Sequence, residues 1–101
     1  MQVTVDGKQY PAVLTMGAQL DFKDMTGKEV TEIGSALTDL CKLIWCALKA
    51  GARRSGGSFD MSLDEFADLV DMSEIGELSR ILFESAGGKG TSSGKKKASR
   101  L

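Results

Sequence analysis

Five carboxylates fall close together in the second half of the chain, at Asp60, Asp64, Glu65, Asp68 and Asp71, and two thiols stand five positions apart at Cys41 and Cys46. Clustered carboxylates can hold a divalent cation, and thiols can bind zinc or act as nucleophiles. The carboxylate spacing is not the Asp-x-Asp-x-Asp-Gly loop with a terminal Glu that a calcium loop requires, so the group reads as a solvated acidic helix face. With no His and two Cys, soft ligands are too few for a zinc site, and Ser/His or Cys/His nucleophilic pairs are ruled out by composition. On one helix the two thiols would diverge by roughly 140°, too far to bridge, and they read as small buried hydrophobes. Gly56-Gly57 and Gly87-Gly88 lack the spacing of a phosphate-binding loop. No catalytic, metal or cofactor site is expected, and the chain is expected not to be an enzyme.

Two features remain that could recognise a partner. The run Lys95-Lys96-Lys97 with Arg100 could contact phosphates in a sequence-independent, salt-sensitive way. It has no aromatic stacking residue, however, and the rest of the chain is acidic: residues 1–86 carry eight Lys and Arg against fourteen Asp and Glu, while residues 87–101 carry five basic residues and no acid. Nucleic acid therefore ranks below a solvated basic tail. Trp45, the single Trp, lies between Ile44 and Leu48, and a second apolar stripe runs through Ile75, Leu78, Ile81 and Leu82. These seven residues are the candidate partner-binding positions, each also readable as core.

The elements that position them are announced by a signal that occurs twice. Thr26 is followed three residues on by Glu29, with Met25 and Val30 flanking; Ser62 is followed by Glu65, with Met61 and Phe66 flanking. Each reads as a capping box with a hydrophobic staple, opening a helix. The first would run from about Lys28 to Ala50 and end near Gly51, burying Val30, Ile33, Leu37, Leu40, Cys41, Ile44, Trp45 and Leu48, with Arg53 and Arg54 in the turn beyond it. The second would span about residues 62–72, with Leu63, Phe66, Ala67, Leu69 and Val70 inward, and Ser73 would cap a last helix over about 74–86. A short helix is expected over 16–25, capped by Thr15.

Ahead of them, Asp6-Gly7 suits a type I′ turn between strands 2–5 and 8–12. Pairing Val3 with Tyr10 and Val5 with Lys8 gathers the apolar side chains on one face and puts Pro11 opposite Gln2, in a pair that needs no N–H from it. The expected fold is α+β and helix-dominated: a two-stranded hairpin packed on about four helices over residues 1–86, followed by a disordered basic tail over 87–101. No apolar run reaches the roughly 18 residues of a membrane span, and the N-terminus lacks a signal-peptide pattern, so no membrane partner is expected and the chain reads as cytoplasmic.

The stretch VTVDGKQYPAVLTMGAQLDFKDMTGKEV resembles the opening of tail assembly chaperones of long-tailed bacteriophages and prophages. LTDLCKLIWCALKAG resembles the central helix of that family with its Trp, and FDMSLDEFADLVD the acidic helix that follows. The similarity covers residues 1–86. It implies a non-enzymatic protein of the bacterial host cytoplasm that binds the tape measure protein and keeps it soluble until the tail tube protein displaces it. It also implies a longer form made by ribosomal frameshifting, for which Gly94-Lys95-Lys96-Lys97 could be encoded by slippery A-rich codons. The alternatives are a structural or adaptor tail component of a prophage that self-assembles as a homo-oligomer, and a nucleic-acid-associated accessory protein.

Overall fold

The computed structural model describes residues 1–87. The expected tail, 87–101, lies outside the described residues apart from Gly87, which ends the last helix. Strands β1 (Gln2–Val5) and β2 (Lys8–Pro11) form an antiparallel hairpin, followed by helices α1 (Met16–Thr26), α2 (Leu37–Ser55), α3 (Leu63–Leu69) and α4 (Met72–Gly87), with one 3-10 turn at Val30–Glu32. This is the hairpin-plus-four-helices architecture that the sequence predicts.

The hairpin follows the expected register in every pair: Gln2 with Pro11, Val3 with Tyr10, Thr4 with Gln9 and Val5 with Lys8. Asp6 and Gly7 both have positive φ, 52° and 81°, as a type I′ turn demands. Val3, Val5 and Ala12 are buried, whereas Gln2, Thr4 and Gln9 face outward. The alternation of the strands thus becomes one apolar face laid on the helices.

Helix α1 begins where expected, with the Thr15 hydroxyl accepting the Ala18 N–H at 3.0 Å. Its end corrects the first capping box. Thr26 closes α1 and does not open a new helix: its hydroxyl donates to Phe22 O at 2.8 Å, and Gly27 follows at φ 77° with its N–H on Lys23 O. A left-handed residue after the last turn is a stop signal, and glycine takes that conformation without penalty. The reach-back by a glutamate survives three residues further on, where Glu32 accepts the Glu29 N–H at 2.7 Å in the 3-10 turn.

Helix α2 therefore starts at Leu37, not Lys28, and its N-cap, Ala36, has no side-chain oxygen to offer. The compensation is Asp39. Its carboxylate lies in the first turn, where the helix end is partially positive, is buried, and receives Lys28 Nζ at 2.6 Å. At the other end α2 continues through Gly51 to Ser55, so Arg53 and Arg54 lie in its last turn and not beyond it, and Gly56 supplies the left-handed cap.

Gly51 is inside the helix because of what it touches. A Cβ there would stand 2.2 Å from Pro11 O and 3.0 Å from Ala12 Cα. The helix backbone thus lies directly on the strand backbone, and Val13 N–H donates to Ala47 O at 3.1 Å beside it. Wrapped by the hairpin, α1, α3 and α4, α2 buries Leu40, Leu43, Ile44, Cys46, Ala47, Leu48, Ala50 and Ala52. Each large apolar side chain so buried stabilises by about 1.5–3 kcal/mol relative to exposure.

The second box is as predicted. The Ser62 hydroxyl accepts the Glu65 N–H at 3.1 Å, the Glu65 carboxylate accepts the Ser62 N–H at 2.9 Å, and Met61 packs against the core to which Phe66 belongs. Helix α3 is shorter than expected and buries Phe66 alone; Ala67 and Leu69 are exposed, Leu63 and Val70 half-buried. The cap of α4 is Asp71 rather than Ser73: Asp71 accepts the Glu74 N–H at 2.8 Å and the Ser73 hydroxyl at 2.9 Å, which holds its carboxyl below the usual carboxylate range. With the Asp71 N–H donating back to Glu74 Oε1 at 3.0 Å, this is a further capping box, placed between α3 and α4.

Replacing Gly51 by Ala adds a methyl where backbone atoms cannot yield. We expect a loss of about 2 kcal/mol or more despite the better helix propensity of alanine, read as a drop of roughly 10 °C in the melting temperature. Asp39→Ala removes the Lys28 pair and the charge at the uncapped end of α2; thermal unfolding should register a loss of about 1 kcal/mol.

Candidate partner-binding face

Of the seven positions singled out in the sequence, four belong to the core. Ile44, Leu48 and Leu82 have no exposed surface and Ile75 is 4% exposed, so none of them touches a partner in this conformation. Trp45, Leu78 and Ile81 are half-buried and keep surface to offer. The periodic stripes were a sound guide to burial, but periodicity alone cannot tell the buried centre of a stripe from its accessible flank.

Trp45 is held from two sides. Its indole N–H donates to Met61 O at 2.9 Å, and Lys49, one turn on, places Nζ 5.3 Å from the ring centroid while donating to Phe59 O at 3.2 Å. Together these two side chains of α2 tie down the 59–61 segment. Phe59 in turn meets Tyr10 edge-on at 4.9 Å and Phe66 at 6.4 Å, linking β2 to α3 through an aromatic row.

The outer flank of Trp45 opens on a groove of about 360 Å³ between α1 and α2, lined by Asp21, Asp24, Met25, Trp45 and Lys49. Met25 is 39% exposed there, and Asp21 is paired with Arg53 at 3.4 Å. Met25 was expected to staple a capping box; released from that role, it stands beside Trp45. On the opposite side of α1, Met16 and Leu20 are 67% and 63% exposed at adjacent turns. Sequence reasoning missed the groove because it depends on the crossing of α1 over α2, whereas the exposed i, i+4 pair Met16 and Leu20 was legible as a second apolar line on a short helix.

The acidic residues of α3 and the α3–α4 corner are exposed, and among the described residues no group of three or more His, Cys, Asp or Glu side chains is placed to hold a metal ion. Cys41 is half-buried and Cys46 fully buried, both as free thiols. Burial pushes the Cys46 thiol up to about 11, with the Asp21 carboxylate adding to the shift and Arg53 opposing it; burial also raises Cys41, against the pull of Lys42. Neither has the depressed pKa of a reactive thiolate. Among the described residues no helix is long and apolar enough to cross a membrane. The chain matches no protein-family model, no curated protein and no solved structure.

Thiol alkylation at about pH 8 should modify Cys41 slowly and Cys46 only on unfolding, as followed by mass spectrometry with and without denaturant. Because the folded pKa of Cys46 is raised above the unfolded value, the native state retains a proton that the unfolded chain releases. Stability from this residue is full below the ordinary thiol pKa of 9.0 and is lost as pH rises towards 11.

Proposed function

We propose that this chain is a tail assembly chaperone of a bacteriophage or prophage, a non-enzymatic protein that binds the tape measure protein and keeps it soluble in the host cytoplasm until the tail tube forms around it. The reading rests on the sequence resemblance across residues 1–86. The observation that supports it is the groove between α1 and α2 in which the accessible Met25 thioether and Trp45 indole stand among Asp21, Asp24 and Lys49. A client with an exposed apolar helical stripe fits such a surface: thioether and indole side chains adjust to different neighbours without a unique jigsaw match. Binding of this kind is weak at each contact and repeated along a long client, so a tube subunit can displace it.

Co-expression tests the reading. With this protein present, the tape measure protein of the same phage should move from the insoluble to the soluble fraction, and Met25→Glu, a change at a surface position costing the fold only about 0.5 kcal/mol, should abolish most of that effect. A tape measure protein that stays insoluble beside well-folded short and frameshifted long forms overturns the reading. If the protein alone then polymerises, it is a structural tail component; if it binds DNA, it is a nucleic-acid accessory protein.

A further inference from the structure

The two edges of the hairpin differ. Along β2, α2 lies against Pro11 through Gly51. Along β1 the edge is open. Met1 and Ala12 exchange backbone hydrogen bonds, Ala12 N–H to Met1 O at 2.8 Å and the Met1 amino group to Ala12 O at 3.0 Å. The alternation of an antiparallel ladder then directs the N–H and C=O of Gln2 and Thr4 away from β2. Among the described residues no hydrogen bond reaches those outward groups.

This edge does not face bare solvent. Gln2 and Thr4 form one wall of a groove of about 430 Å³ whose other wall is the first half of α4, with Ser73, Glu74, Glu77 and Leu78. The groove thus runs beside a strand whose outward backbone groups are unpaired, and α4 contributes one apolar side chain, a hydroxyl and two carboxylates to it. Glu74 also accepts the Asp71 N–H, and Glu77 is paired with Arg80, which bridges to Glu84 as well. Glu74 and Glu77 make this wall negative, with Arg80 offsetting part of the Glu77 charge. An extended basic segment complements it in both respects.

The chain supplies such a segment. From Glu77 to the end of α4 at Gly87 is about 15 Å of helix, and the seven residues 88–94, rich in Gly and Ser, span up to about 23 Å when extended. Lys95, Lys96 and Lys97 can thus return to Glu77 and Glu74. A second copy's β1 is the rival occupant, but it would bring together two bodies that each carry fourteen acidic against eight basic residues. We propose that the C-terminal segment around Lys95-Lys96-Lys97 docks in cis as a third strand on the open edge of β1, with the lysines on one face of that strand placed against the carboxylates of α4. The ladder bonds to Gln2 and Thr4 supply the adhesion, and the charges fix the register. A docked strand also covers an edge that would otherwise template pairing between chains. None of this depends on the proposed function.

Amide hydrogen exchange of the full chain by NMR decides the matter. Gln2 and Thr4 should exchange at least about tenfold more slowly in the native chain than in a Lys95→Gln, Lys96→Gln, Lys97→Gln variant or in about 1 M salt, at a rate independent of protein concentration. Val3 and Val5, bonded within the hairpin, should stay protected in every sample and report an intact fold. Equal, fast exchange of Gln2 and Thr4 in both proteins overturns the proposal, as does protection that survives the triple substitution. Protection that grows with concentration overturns it in favour of a second copy on the edge.

Discussion

The packing of this molecule depends on one close approach, the backbone of α2 at Gly51 resting on the carbonyl of Pro11. A helix and a strand normally meet through layers of side chains; here one layer is missing, and the hairpin is drawn onto the helix at that point. Val3, Val5 and Ala12 then reach the same core as Leu43, Ala47 and Leu48. A two-stranded ribbon has too little surface to be stable alone, and this contact makes it part of the domain. Pro11 suits the position because it has no N–H to leave unpaired while its carbonyl faces the helix.

Around that contact α2 acts as a post buried on most of its circumference, and the remaining elements are arranged by what its partly exposed residues can hold. Trp45 and Lys49 donate to carbonyls of the 59–61 segment, so a stretch without regular structure is fixed by two side chains one turn apart. Lys28 and Asp39 do the same for the segment ahead of the helix, where no capping side chain is present. Such polar ties work at half-buried sites because water competes weakly there while the donors avoid full desolvation.

The acidic residues of the second half of the chain are grouped as well. The acidic residues from Asp60 to Glu77 lie on α3, on the first half of α4 and on the segments just before each, whereas the exposed Met25 and the half-buried Trp45 lie between α1 and α2.

The hairpin register, the apolar face of β1 and β2, the Thr15 cap, the Ser62 and Glu65 box and the burial of Ile44, Leu48, Ile75 and Leu82 were all legible in the sequence. Each rests on local rules: a two-residue turn fixes pairing, a hydroxyl three residues ahead of a glutamate marks a helix start, and periodicity marks the buried face. The ends of α2, the role of Asp39 and the groove beside Trp45 were decided by tertiary structure. Thr26-Gly27-Lys28-Glu29 satisfies the pattern of a helix start and of a helix stop equally well, and the 3-10 turn between α1 and α2 resolved it. Gly51 reads locally as a terminator, yet a strand lying against it keeps it within the helix, because the energy that decides comes from residues forty positions away in sequence. A local pattern can announce a boundary, but only packing selects among the boundaries that the pattern allows.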